Sequence, residues 1–249
     1  MERGLVGRDH PLVKERPENS EYGSRRERLA ALNRLAAGFA HEIRNPLTEV
    51  FGFVQLLERS LSPDQRQQEY LARVYEGVRA INSIVSKLVL LNSSLSLNLQ
   101  MTSMADIVQK LMERARPLAE RQGTSLACSL VGPIPDLRVD PEAIDFALYE
   151  LLVNALEAVG SGGEVTLAAR YPGGKKRVVI EVQDNGGGVD EKTRLHMYEP
   201  FYSSRPFAVG LGLSLAHSLV EAQGGSLSAV TREGEGSTFI VELPLNGME

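Results

Sequence analysis

Two apolar stripes at helical spacing, one following the other, constrain this chain more than any other feature. Leu32, Leu35, Phe39, Ile43, Leu47, Val50, Val54 and Leu57 recur every three or four residues, and Leu71, Val74, Val78, Ile81, Val85, Leu88 and Leu91 repeat the pattern. Ser24 followed by Glu27 is a capping-box signal, and it opens a first helix that runs to about Ser60. Ser62-Pro63-Asp64-Gln65 starts the second, with a serine cap, proline at the first helical position and glutamine at the third. That helix ends near Asn92. The connection is short, so the two helices lie antiparallel. A single hairpin leaves its apolar seam half wet. Pairing two copies into a four-helix bundle covers both stripes, so a homodimer is expected. On periodicity alone, a coiled-coil bundle without chemistry is the alternative.

The first helix carries more than a seam. Each helical residue turns by about 100°, which sets His41 roughly 200° round from Phe39 and roughly 160° back from Ile43, away from the seam. Asn45 and Thr48, one and two turns on, share its exposed face. Pro46 has no N–H for the carbonyl of Glu42, so the helix is expected to bend beside the imidazole. A lone histidine is ordinarily structural or solvated, and His10, His196 and His217 are read that way. His41 is set apart by its carboxylate neighbour Glu42 and by the motifs further along the chain.

The chain has 249 residues, enough for one large domain or two modest ones. A net charge of −5 argues against nucleic acid as a partner. Cys128 is the single cysteine, which excludes a disulfide framework and a cysteine metal site and suits a reducing compartment. There is no signal peptide and no apolar run of membrane-spanning length, so a cytoplasmic location is expected for this chain. Residues 1–23 are charged, proline-interrupted and without period, and read as a leader or linker compatible with a piece of a longer, membrane-anchored protein.

From about residue 96 the texture changes to alternating helix and strand. Ser103 to Gln122 is a helical run stopped by Gly123, and a strand follows at Ser125–Val131. Asp140-Pro141 opens a helix ending at Gly160. Strands are expected at Glu164–Arg170 and Arg177–Gln183, joined through Pro172-Gly173-Gly174. Gly210 to Gln223 is helical, and strands at Ser226–Arg232 and Ser237–Pro244 close the chain. The expected class is α + α/β: an antiparallel helical hairpin over 24–95 dimerising into a four-helix bundle, then an α/β sandwich with one mixed sheet over 96–249.

Three patches in the second domain carry chemistry. Glu150 and Asn154 stand one turn apart on one helix face, and an oxygen pair of this kind suits Mg²⁺ shared with phosphates. An exposed polar helix face explains that patch equally well. Asp184-Asn185-Gly186-Gly187-Gly188-Val189 follows a strand directly. An ionised Asp184 accepts hydrogen bonds only, as the amino group of adenine requires, and Gly186 and Gly188 let backbone approach a flat base. Gly210-Leu211-Gly212-Leu213 opens a helix, where free N–H groups attract anions. Upstream, Glu199-Pro200-Phe201-Tyr202-Ser203-Ser204-Arg205 forms a loop suited to a lid, with Arg205 placed to meet a phosphate.

In this order the patches resemble the catalytic core of a sensor histidine kinase, over about residues 24–249. His41-Glu42-Ile43-Arg44-Asn45-Pro46-Leu47 resembles the phosphoacceptor motif, and Glu150 to Ala158 the asparagine motif. Asp184 to Gly188 resembles the first glycine motif, Glu199 to Tyr202 the phenylalanine motif, and Gly210 to Leu213 the second glycine motif. Within the family, Ala40 to Leu57 is most similar to Bacillus-type sporulation and nitrogen-regulatory kinases, which implies sporulation signalling. The resemblance implies a Bergerat-type ATP-binding fold, ATP and Mg²⁺ as cofactors, and a homodimer. It also implies autophosphorylation of His41 and transfer to an aspartate on the receiver domain of a response regulator, with a small protein inhibitor as a further partner. By the same resemblance Glu42 takes the proton of the other ring nitrogen, and Asn45 positions a water for the reverse, phosphatase direction. Asn154, with Glu150 beside it, holds Mg²⁺. Asp184, Gly186 and Gly188 hold adenine, and Phe201, Arg205, Gly210, Leu211, Gly212 and Leu213 form the phosphate lid.

The chain departs from the family at several points. Glu150 stands where many of these kinases carry asparagine and where related ATPases carry a water-activating glutamate, implying some ATP hydrolysis. Glu157 replaces a common lysine, and Ala208-Val209 precede Gly210 where glycine and threonine are usual, so slow turnover is expected. Two other readings follow from these departures: a catalytically weak dimeric scaffold that binds a regulator, and a gyrase-type ATPase.

Overall fold

The computed structural model describes residue 43 and residues 45–59, 65–92, 97–173, 176–205 and 208–245. His41 and Glu42, the 1–23 leader, the Ser24 cap and the Ser62-Pro63 start lie outside the described residues. Residues 45–59 form helix α1 and Gln65–Asn92 form α2. The Tyr75 hydroxyl donates to Glu58 Oε2 at 2.8 Å, and the Phe51 and Tyr75 rings meet edge-on with centroids 5.2 Å apart. Along the apolar stripes Leu47, Val54, Val78 and Val85 are buried, whereas Ile43, Val50, Leu57, Val74 and Ile81 are exposed. One chain therefore covers only part of its own seam, as expected of a hairpin by itself. Asn45 and Thr48 lie on the exposed side, as their helical phase predicts.

The second domain is built on caps. Ser103 accepts from the Asp106 N–H and opens α3 (Met104–Gln122), which ends on left-handed Gly123. Asp140 caps α4 (Pro141–Val159), its Oδ1 accepting from the N–H groups of Glu142 and Ala143 at 3.0 Å each. Its Oδ2 takes the Asn98 N–H at 2.8 Å, and its own N–H donates to Gln223 Oε1 at 2.7 Å. One aspartate thus joins the chain at Asn98, the start of α4 and the turn that follows α6 (Gly212–Glu221). This accounts for the complete burial of Gln223.

Five strands, β2 (Ser125–Val131), β4 (Glu164–Arg170), β5 (Arg177–Asp184), β6 (Ser226–Arg232) and β7 (Gly236–Pro244), form a mixed sheet in the order β2-β4-β5-β7-β6. Only β2 and β4 run parallel. Strand alternation turns Val165, Leu167, Val178, Ile180, Val182, Val241 and Leu243 inward, where they meet Leu111, Leu148, Leu152, Ala216 and Val220 from the helices. The same alternation carries Asp184, the last residue of β5, beneath the helix layer at 3% exposure.

The expected single sheet is corrected in one respect. β1 (Gln100–Thr102) and β3 (Leu137–Val139) pair antiparallel in a separate two-stranded sheet. Three-residue strands are too short to show a period of two. The short helix α5 (Glu191–His196) also escaped the pattern, because it buries no residue and so has no stripe. The helix expected over Gly210–Gln223 is shorter, at Gly212–Glu221.

Just beyond α5, the Tyr198 ring stacks on His217 with centroids 4.8 Å apart, and its hydroxyl is buried without a partner among the described residues. Burial pushes that phenol up to about 12. Removing an unpaired buried hydroxyl relieves about 1 kcal/mol of desolvation cost. Tyr198→Phe is therefore expected to raise stability by about that amount in urea unfolding; a loss of stability would reveal a hydrogen bond to the hydroxyl.

Candidate functional site

Four segments converge around the end of β5. Asp184 Oδ1 accepts the Gly186 N–H at 2.9 Å, and the Ser237 backbone also hydrogen-bonds the carboxylate. Burial pushes the Asp184 carboxyl above the ordinary carboxylate range, partly countered by these N–H groups and by the charge of Arg205. The glycine loop is held by close packing. Gly188 has a φ of 62°, and a Cβ there would stand 1.9 Å from the Arg232 carbonyl oxygen, so only glycine fits. The Gly234 N–H donates to Gly187 O at 2.7 Å, locking the loop to the β6–β7 turn.

On α4, Leu148, Leu151, Leu152, Ala155 and Leu156 face the core, leaving Glu150, Asn154 and Glu157 on the other side. Arg205 reaches Asn154 from the lid. Its Nη2 donates to Asn154 Oδ1 at 2.5 Å and to the Asn154 carbonyl at 3.1 Å, while its Nη1 pairs with Glu157. Glu150 turns elsewhere, pairing through Oε2 with Lys87 Nζ of α2 at 2.8 Å. The two expected metal ligands thus have separate partners: Asn154 takes a lid guanidinium and Glu150 a hairpin ammonium. Among the described residues no group of three or more His, Cys, Asp or Glu is placed to hold a metal. The donor set nevertheless fits Mg²⁺, which is commonly held by one or two protein oxygens together with substrate phosphates and waters. Asn154 Oδ1 is such an oxygen, and it already accepts from a cation.

Phe201, Tyr202 and Gly210 form a tight neck. Phe201, half-exposed and at a φ of 65°, donates its N–H to Gly210 O at 2.8 Å. Gly210 has a φ of 69°, and a Cβ there would lie 2.3 Å from the Tyr202 carbonyl oxygen. Leu211 is buried and Leu213 packs on the core, so their side chains are structural and only their backbone faces the start of α6. Among the described residues no side chain caps that start. His196 pairs with Glu199 at 2.7 Å and His217 with Glu221 at 3.3 Å, in keeping with their reading as structural histidines. Sequence reasoning missed Lys87, which stands 63 residues from its partner and carries no local signal.

Residues 31–97 match the His Kinase A (phospho-acceptor) domain, and residues 139–247 match the histidine kinase-, DNA gyrase B-, and HSP90-like ATPase family. The chain carries both domains of a sensor histidine kinase catalytic core. The sensor histidine kinase ZraS of Klebsiella oxytoca is 31% identical over 235 residues, covering 94% of this chain and 50% of the relative. Sporulation kinase E of Bacillus subtilis (strain 168) is 28% identical over 233 residues, 94% of this chain and 31% of that protein. In structure, this histidine kinase core resembles full-length ShkA in complex with AMPPNP, with a TM-score of 0.73 and 26% identity over 86% of this chain and 46% of that one. The chain spans half or less of the length of these curated relatives. Among the described residues of this kinase core, no helix is long and apolar enough to cross a membrane.

Proposed function

We propose that this chain is an ATP-dependent protein-histidine kinase that phosphorylates His41 and passes the phosphoryl group to an aspartate on a response-regulator receiver domain. What carries the reading is the phosphoacceptor match across His41, followed in the same chain by an ATPase-type domain that buries Asp184 at a strand end. Residues 24–95 form the dimerising phosphoacceptor unit and 96–249 the ATP-binding unit, which meet at the Lys87–Glu150 pair. The partly exposed seams of α1 and α2 support a homodimer. Asp184 accepts the adenine amino group, and the uncapped start of α6 receives phosphate. Mg²⁺, held by Asn154 Oδ1, supplies charge neutralisation on the phosphates when bound.

Phosphoryl transfer asks for little covalent chemistry from the protein beyond an aligned nucleophile and charge stabilisation. Neutral imidazole at His41 is that nucleophile near pH 7. Glu42 accepts the proton of the other ring nitrogen and orients the ring. Asn45 positions a water for the reverse direction, a role that its exposure on α1 supports. Similarity to sporulation kinase E supports a role in sporulation signalling, although ZraS, a kinase of another name, is the more similar of the two.

The test is incubation with γ-labelled ATP and Mg²⁺, then acid or alkali. Label lost in acid and kept in alkali is the expected result; acid-stable label, or none with ATP bound, overturns the reading. A second consequence concerns the lid. Arg205 and Mg²⁺ compete for Asn154 Oδ1, and Glu157 helps hold Arg205 there. Exposed ion pairs contribute about 0.2–1 kcal/mol, so Glu157→Gln is expected to tighten Mg²⁺-ATP binding by roughly 1.4- to fivefold in calorimetry.

A further inference from the structure

We propose that Lys87 is a positioning residue, holding the Glu150 carboxylate out of water activation and so steering the γ-phosphoryl group to histidine rather than to water. The inference rests on the kinase reading above. Lys87 Nζ and Glu150 Oε2 are 2.8 Å apart, and their side chains are only 21% and 11% exposed. Lys87 belongs to the phosphoacceptor hairpin and Glu150 to the ATP-binding unit, so the pair exists only where the two units touch. Glu150 lies one turn before Asn154 on α4. Its Oε2 packs so closely on the first residue of α6 that a Cβ on Gly212 would meet it at 2.4 Å. The carboxylate therefore sits between the hairpin ammonium and the helix start proposed to receive phosphate.

A carboxylate beside a terminal phosphate has chemistry of its own. It can accept a proton from water while the water oxygen bonds to the γ-phosphorus. The bond from that phosphorus to the β,γ-bridging oxygen breaks, ADP leaves with the electron pair, and the proton passes on to solvent with inorganic phosphate. The Lys87 ammonium engages Oε2, fixes the direction of the carboxylate and offsets its repulsion of the incoming polyphosphate. A pair this buried gains little over apolar residues of the same volume, so packing alone does not call for it.

The experiment uses the full chain carrying His41→Gln, which removes phosphohistidine turnover, and measures phosphate release at saturating ATP. Lys87→Met is expected to raise kcat for release about tenfold, a fraction of what a freed general base supplies. It is also expected to raise KM, because the carboxylate's repulsion of ATP is no longer offset. Lys87→Arg should keep release low, and adding Glu150→Gln to Lys87→Met should return it to the starting rate. A structural role for Lys87 would not produce a gain that depends on Glu150. If Lys87→Met misfolds, Lys87→Gln, uncharged but polar, is expected to show the same rise. An unchanged kcat with ATP binding confirmed by calorimetry, or a rise that survives Glu150→Gln, overturns the proposal. Failure of the kinase reading itself is seen separately, as absent acid-labile label when His41 is intact.

Discussion

Replacing His41 by glutamine is expected to bring acid-labile labelling from γ-labelled ATP to background, while ATP affinity stays within about twofold of the unsubstituted chain. Glutamine keeps comparable bulk and polarity but has no nucleophilic ring nitrogen. The labelling loss should be complete, because no neighbouring group can replace an aligned nucleophile. Affinity should be spared because the groups proposed to bind ATP (Asp184, Asn154 and the start of α6) all belong to the other domain. His196 and His217 already have carboxylate partners, so neither is expected to take the label instead. Residual label after His41→Gln, mapped by peptide digestion, would move the acceptor elsewhere.

Asp184→Asn is expected to weaken ATP binding by about 10- to 100-fold, the worth of roughly 1.5–3 kcal/mol for a hydrogen bond to a charged group. The side-chain amide would turn its oxygen to the Gly186 and Ser237 N–H groups, leaving its NH₂ against the adenine amino group. The folded protein should not suffer. Burial raises the Asp184 carboxyl above its ordinary value of 3.8, so in the window above that value the native chain binds more protons than the unfolded one. Stability contributed by Asp184 therefore falls as pH rises through that window, and Asp184→Asn should lack this slope in urea unfolding. ATP affinity runs the opposite way. It needs the ionised acceptor, so it should fall on acidification at a higher pH than for an ordinary carboxylate, and the asparagine variant should be flat. A steeper loss of affinity in the variant than in the parent chain would remove Asp184 from adenine recognition.

Both predictions depend on features that were legible without coordinates. Ser103, Gly123, Asp140 and Gly160 mark helix ends through contacts made within a few residues. The strand signal over Arg177–Gln183 is also local, and it puts Asp184 directly after a strand, one residue short of the observed end of β5. Helical phase did the same for Asn45 and Leu47, one exposed and one buried. Where the pattern was too short to repeat, as in β1, β3 and α5, reading it failed.

The sequence by itself determined the longer elements, their order, the family resemblance and every candidate group except Lys87, because caps, periods and motif spacing act over one or two turns. Only the tertiary structure decided which partner each group has. Asn154 Oδ1 holds Arg205 from 51 residues away, and Glu150 faces Lys87 across the interdomain contact rather than sharing a ligand set with Asn154. Such pairings are set by how α2, α4, α6 and the lid pack together. A charged side chain carries no signal of its distant partner until burial makes an unpaired charge costly.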